Sequence, residues 1–323
     1  MTDRLGSLAA HLDPERPLAI QTHDYPDIDA VASSWALASL LSELGIDARC
    51  AFGGEIRSRS LGSLIAELDI ELHPIAEIPD AAQIVVVDGS PGNGNVSLIR
   101  GQLIGVIDHH LGSGPMGTVF TDVRAELAAC STMISGYWTE AGRVPPRPIA
   151  TALLAGIQSD TDFLSRRCSD EDFAAYASLY REGDWQLASR VVRTSLDLRE
   201  LGLVVAALQS SVVKEGLLFA SIKGQCSQEA LAVLAEFALR AEELSAAVVA
   251  EREVDGLRFS VRSRSPDVSA FTLAREAIGS LGSTGGHAHS AGGFVPARQD
   301  PGEDAIRERF FSAALRAARR VSE

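Results

Sequence analysis

The sequence predicts an α/β protein of two domains: an N-terminal domain with a mostly parallel sheet flanked by helices, and a smaller C-terminal α/β domain. Three observations predict it. Short apolar runs of strand length alternate with segments of helical periodicity. The alternation pauses near residues 183–200 and then resumes, and a chain of 323 residues is long enough for two cores. Two of the most apolar runs, 84–87 and 103–107, end abruptly in acids and imidazoles. Open α/β sheets present their sites at the carboxyl ends of strands in this way.

The elements follow in order. A strand over 18–22 runs into His23-Asp-Tyr-Pro-Asp27-Ile-Asp29, where Pro26 and the acids force a turn. From Ala30 the apolar positions Val31, Trp35, Leu37, Leu40, Leu41 and Leu44 mark a helix face, and Gly45 stops it. A strand over 48–52, a helix over 61–68 and a strand over 70–72 come next. The strand 84–87 ends in Asp88-Gly-Ser-Pro-Gly, and 103–107 ends in Asp108-His109-His110. A helix is expected over 126–140, and the proline-rich 144–148 reads as a connector. A buried helix over 149–157 should deliver Gln158-Ser-Asp160-Thr-Asp162, and an acidic helix covers 170–182. Residues 185–213 read as mostly helical. The C-terminal domain is expected to hold strands at 217–222, 246–251 and 257–262, helices at 228–243 and 268–281, a glycine-histidine segment at 285–293, and a last helix over 303–321.

Composition narrows the class. Hydrophobic residues make up 46% and charged residues 22%, as in ordinary globular proteins. No apolar run reaches the roughly 18–20 residues that span a bilayer, and the N-terminus lacks an apolar signal core, so a cytoplasmic location with no membrane partner is expected. The four cysteines have no paired spacing, which argues against a thiolate cluster or a disulfide framework. With 43 acids against 29 bases the net charge is −14, which argues against a long nucleic-acid track but leaves room for a short anionic substrate held locally. A homodimer is left open.

His23, Asp27, Asp29, Asp88, Asp108, His109, His110, Asp160 and Asp162 all fall at element ends in the N-terminal half. Six carboxylates in one pocket without a lysine repel one another. Divalent cations remove the difficulty, and mixed imidazole and carboxylate donors suit manganese, iron, cobalt or zinc. Paired ions about 3.5–4 Å apart are the arrangement that handles phosphoryl chemistry.

Order and spacing resemble the DHH phosphoesterase superfamily. Its triplet stands at Asp108-His109-His110, its first motif at His23 to Ala30, its second at Asp88 and its fourth at Ser159-Asp160-Thr161. Gly285-Gly286-His287-Ala-His-Ser-Ala-Gly292 is similar to the glycine-histidine motif of the DHH-associated domain, with Thr284 and Ser290 departing from it. The resemblance spans about residues 18–296. It implies a catalytic metal-binding domain over 1–185, a helical linker over 186–213 and a substrate-binding domain over 214–323, with the active site in the cleft between domains. It implies two divalent cations, Mn2+ foremost. One would be held by His23, Asp27 and Asp88, and the other by Asp29, Asp88, His109 and Asp160. Asp108 would orient a histidine, and His110 would face the phosphoryl group. Arg262, Gly285, Gly286 and His287 would contact substrate phosphate. Arg264, His289 and Asp162 have no assigned role, Asp162 reading either as a group behind the metal ligands or as structural.

The activity implied is hydrolysis of short oligonucleotides or phosphonucleotides by a metal-bridging hydroxide, as in nano-RNases and phosphoadenosine-phosphate phosphatases. Cyclic-dinucleotide, pyrophosphate or polyphosphate hydrolysis is the alternative, and a non-catalytic nucleotide-binding protein is a third reading. A single-stranded DNA exonuclease fits less well, because only 6% of residues are aromatic and the chain is acidic.

Overall fold

The computed structural model describes residues 3–92, 95–110, 117–166, 168–265, 267–286 and 288–321. The chain forms two compact units, Met1–Thr194 and Ser195–Glu323.

The first unit contains α1 (Arg4–Ala9), β1 (Leu18–Gln21), α2 (Ile28–Ser42), β2 (Ala48–Phe52), α3 (Arg59–Leu68), β3 (His73–Pro74), β4 (Ala82–Val87), β5 (Gly101–Asp108), β6 (Phe120–Val123), α4 (Cys130–Glu140), α5 (Arg147–Thr161), α6 (Asp170–Glu182) and α7 (Trp185–Arg193). Its six strands run in the order β3-β2-β1-β4-β5-β6. Every pairing is parallel. Such a sheet is buried on both faces, which is why β4 is apolar at every position but Gln83. Side chains alternate between the faces. Ile20, Val85 and Val87 join the helices, above all α2, α4 and α5, in the main core. Ala19, Ile84 and Val86 form a second layer closed by Ile75, Ile78, Val96 and Ile99. Strand order reverses between β1 and β4, and this switch point positions the site.

The second unit contains α8 (Leu198–Gln209), β7 (Val212–Lys214), β8 (Leu217–Ile222), α9 (Gln228–Ala238), β9 (Ala246–Arg252), β10 (Gly256–Ser263), α10 (Ala270–Ile278), β11 (Ser283–Gly286), β12 (Ser290–Pro296) and α11 (Glu303–Val321). Its sheet is mixed, in the order β11-β12-β10-β9-β8-β7, with only β8 and β9 parallel. Leu257, Phe259 and Val261 face the core built with α10 and α11. Leu218, Ala220, Ala247 and Val249 face α8 and α9.

Several boundaries move. The segment 70–72 is not a strand; β3 is the two residues that follow, because they alone reach β2 in register. The helix expected over 126–140 begins at Cys130, since residues 124–129 make a turn whose backbone is held by side chains. The helix expected over 149–157 continues to Thr161, so Asp160 lies in its last turn. Residues 239–243 drop out of α9. Strand β6 and helix α1 had no sequence signal. Within 186–213, α7 packs on α5 and α8 packs on α9 and β8. Among the described residues, no helix is long and apolar enough to cross a membrane.

Candidate metal centre

Parallel registers bring the polar residues to one level. Gln21 pairs with Val86, which sets His23 level with Asp88, and Val87 pairs with Ile107, which sets Asp88 level with Asp108. Asp88 leaves β4 with φ 56°, a left-handed conformation that Asp and Asn tolerate better than other non-glycine residues. That turn aims its carboxylate across the strand ends instead of along the chain.

Asp88 is central. Its Oδ2 lies 3.6 Å from His23 Nε2. Its Oδ1 lies 3.2 Å from His109 Nε2 and 3.8 Å from His110 Nδ1. Around His109 Nε2 stand Asp160 Oδ2 at 3.5 Å and Asp29 Oδ2 at 4.0 Å. Asp27 Oδ1 stands 3.9 Å from His23 Nε2. Three groups thus gather with donor atoms close enough for one ion: His23, Asp27 and Asp88; Asp29, His109 and Asp160; and Asp88, His109 and His110.

Local structure fixes each side chain. His23 Nδ1 donates to the Asp24 carbonyl at 2.9 Å, which turns Nε2 toward the carboxylates. Asp27 caps α2, accepting from the Ala30 N–H at 3.0 Å. Asp29, in the first turn of α2, is fully buried and accepts from the N–H groups of Cys130 at 2.6 Å and Ser131 at 2.9 Å. It therefore caps α4, whose own N-cap residue is an alanine. His109 Nδ1 donates to the Leu127 carbonyl at 3.3 Å. Asp108 accepts from His110 Nδ1 at 2.8 Å, from the His110 backbone N–H at 3.1 Å and from Ser90 Oγ at 3.0 Å, so the histidine it orients is His110. Asp162 is left-handed at the end of α5 and accepts from Ser165 Oγ, a turn-forming role.

The electrostatics are those of a site built for cations. Burial, then the charge of Asp88, pushes Asp29 up to about 7. Burial, then Asp29, Asp27 and Asp88, holds Asp160 well above the usual carboxylate range. Burial would raise Asp88 as well, but the contact with His109 and the charges of His109, His110 and His23 hold it below that range. Burial opposes charge on His110, yet the Asp108 hydrogen bond and Asp88 raise it to about 9. Asp88 Oδ1 and His109 Nε2 are both buried, and neither finds a hydrogen-bond partner among the described residues. Orphaned atoms facing one another at 3.2 Å, inside a set of hard oxygen and imidazole donors, fit divalent cations.

Four expected substrate contacts belong to the second unit. Arg262, near the end of β10, donates from Nε to Glu236 Oε1 at 2.9 Å and from Nη1 to Ser260 Oγ at 3.0 Å. At Gly286, φ is 134° and a Cβ would meet Ser290 O at 2.4 Å, so the β11–β12 pairing demands glycine. Gly285 has open space where a Cβ would stand. His287 lies outside the described residues. Arg264 is tied to the Leu239 and Glu242 carbonyls, and His289 donates to the Ser263 carbonyl.

Sequence reasoning missed three contributors. Ser90 and the Leu127 carbonyl carry no signal of their own. Gly156 does: it sits in a buried helix, and a Cβ there would approach Ser131 Oγ to 2.2 Å and Asp29 Oδ1 to 2.7 Å.

Residues 17–157 match the DHH family, N-terminal domain, and residues 214–316 match the DHHA1 domain. An uncharacterized protein of Methanocaldococcus jannaschii is 29% identical over 287 residues, covering 88% of this chain and 59% of that protein. A probable manganese-dependent inorganic pyrophosphatase of Shouchella clausii is 31% identical over 162 residues, covering 49% of this chain and 52% of that protein. The chain thus spans between half and three-fifths of the length of these curated relatives. In fold, an exopolyphosphatase-related protein from Bacteroides fragilis superposes with a TM-score of 0.75 at 17% identity, over 95% of this chain and 94% of the other. With its motifs, its two domains and both matches in agreement, the chain belongs to the DHH phosphoesterase superfamily and carries the DHH-associated C-terminal domain.

Proposed function

We propose that the chain is a divalent-cation-dependent phosphoester hydrolase acting on a short anionic phosphate substrate. The observation that carries the reading is Asp88, a buried carboxylate with one oxygen toward His23 and the other toward His109. A carboxylate so placed can serve two ions at once. His23, Asp27 and Asp88 would hold one, and Asp29, Asp88, His109 and Asp160 the other, Mn2+ being the ion named for the pyrophosphatase relatives. Bound cations would lower the pKa of an attacking water and neutralise charge on the phosphoryl oxygens.

The chain's own residues account for the rest. His110, held by Asp108, donates a proton or hydrogen bond to a phosphoryl or leaving oxygen. Asp29 is set by the N-terminus of α4, which keeps its carboxylate fixed while charge changes around it. In the second unit, Arg262, Gly285, Gly286 and His287 are the proposed phosphate contacts, a guanidinium and open backbone being suited to a terminal phosphate.

The finer reading is hydrolysis of short oligonucleotides or phosphonucleotides, supported by the DHHA1 match. A second reading, inorganic pyrophosphate, is favoured by the identity to the pyrophosphatases over about half of the chain. One experiment separates them: dinucleotides, 3′-phosphoadenosine phosphate, cyclic di-AMP, tripolyphosphate and pyrophosphate assayed side by side with Mn2+. Turnover undiminished by chelation would refute the cation requirement.

A further inference from the structure

We infer that Asp172 is a positioning residue for the metal centre, acting on His109 through a single peptide unit. The inference rests on the proposed function, because it concerns how one proposed ligand is held. Asp172 lies in the first turn of α6, is fully buried, and is distant in sequence from every proposed ligand except Asp160. Its Oδ2 accepts from Ser169 N at 2.8 Å and Ser169 Oγ at 2.6 Å, completing a capping box. A cap needs no more than that. The same carboxylate also accepts from the Ala128 N–H, at 3.2 Å on Oδ1 and 3.1 Å on Oδ2, and from Thr132 Oγ1 at 2.6 Å.

The Ala128 N–H is one end of a peptide group whose other end is the Leu127 carbonyl, the acceptor of His109 Nδ1. Amide resonance couples the two ends, so an anion drawing on the N–H places more negative charge on the carbonyl oxygen. Carboxylate, peptide and imidazole then form one polarised chain. Its effect is to fix the proton on Nδ1 and to make Nε2, the buried orphan facing Asp88, Asp160 and Asp29, a stronger electron-pair donor. Metal-bound histidines commonly donate their other N–H to a carboxylate or to a carbonyl. Here a carboxylate acts through the carbonyl. The Thr132 bond ties Asp172 to the first turn of α4, where the Cys130 and Ser131 N–H groups hold Asp29. One buried anion thereby sets two ligands from behind the segment 127–132.

The test is Mn2+ titration by calorimetry on the metal-free full chain, comparing wild type, Asp172→Asn and Ser169→Ala. The amide keeps the size of Asp172 but cannot accept at both positions. It is expected to weaken one Mn2+ site about 10–100-fold and to leave the other within about threefold. Ser169→Ala removes only the hydroxyl, which donates to Asp172 Oδ2 and accepts from the Asp172 N–H, so it should lower Tm and leave both affinities in place. A folded Asp172→Asn protein with wild-type affinities, or an equal loss in Ser169→Ala, overturns the inference. A wild-type chain that binds no Mn2+ overturns the proposed function instead. If Asp172→Asn does not fold, NMR on the metal-free wild type decides, recorded above the titration of the ring. His109 should be protonated at Nδ1 and bare at Nε2, with the Ala128 amide proton shifted downfield by its anionic acceptor. The opposite tautomer, or an unshifted amide, overturns the inference.

Discussion

Replacing Asp88 by asparagine removes one charge and almost nothing else. Asparagine also tolerates the left-handed backbone at φ 56°, so the turn after β4 should persist. A unit charge about 3.5 Å from a partner is worth about 5 kcal/mol per partner in an effective dielectric of about 20. Part of this is returned, because Asp29 and Asp160 each face one neighbouring anion fewer. Because the histidines hold Asp88 below the usual carboxylate range, its charge stabilises the metal-free fold, so we expect the metal-free variant to melt below wild type, while both Mn2+ binding steps weaken by about 100-fold or more. Losing charge stabilisation present mainly in the transition state should cost kcat about 1000-fold and leave KM within about threefold. Calorimetry, thermal melts and steady-state kinetics on one preparation give all three readouts. Weakening of a single binding step would show that Asp88 serves one ion; unchanged binding at both steps would refute the bridging role altogether.

Other expectations follow from the same geometry. Folded Asp29, at about 7, lies above the ordinary carboxylate value of 3.8, and folded His110, at about 9, lies above the imidazole value of 6.5. Both bind protons on folding, so stability of the metal-free protein should fall as pH rises, over pH 4–7 from Asp29 and over pH 6.5–9 from His110. Melts across that range should show the Mn2+ stabilisation widening with pH, and a flat profile would refute the assignment. Asp108→Asn should return the His110 titration toward 6.5, read by NMR; an unmoved midpoint would remove Asp108 as its orienting partner. Gly156→Ala improves helix propensity by about 1 kcal/mol yet crowds Ser131 and Asp29, so it should weaken Mn2+ binding without a matching gain in Tm. His287→Ala should raise KM and spare kcat, and an unchanged KM would take it out of recognition.

Much of the site was legible because chemistry-bearing residues at strand ends announce themselves. His23, Asp88 and the Asp108 triplet each follow an apolar run, and the parallel registers of β1, β4 and β5 put those ends side by side. Asp160 was legible as a residue but not as part of a helix, since nothing local says that α5 continues past Ile157. Strand β6 was invisible, and β3 was expected at 70–72 instead of 73–74, for the same reason: each is defined by pairing with a distant neighbour, not by its own propensity.

Division of labour within the triplet was expected, but the tertiary structure alone decided its partners. The sequence places Asp108, His109 and His110 together and marks them as polar groups at a rim. It carries no record that Ser90 and His110 share Asp108, or that a carbonyl eighteen positions away takes the His109 proton. Backbone acceptors have no residue type, and a carboxylate such as Asp172 looks from its neighbours like a simple helix cap. By itself the sequence determined the ligand chemistry, because side-chain identity sets which ions a site can take. Only folding decided which nitrogen of His23 and of His109 turns toward the carboxylates, because that depends on the acceptor the chain brings to the other one.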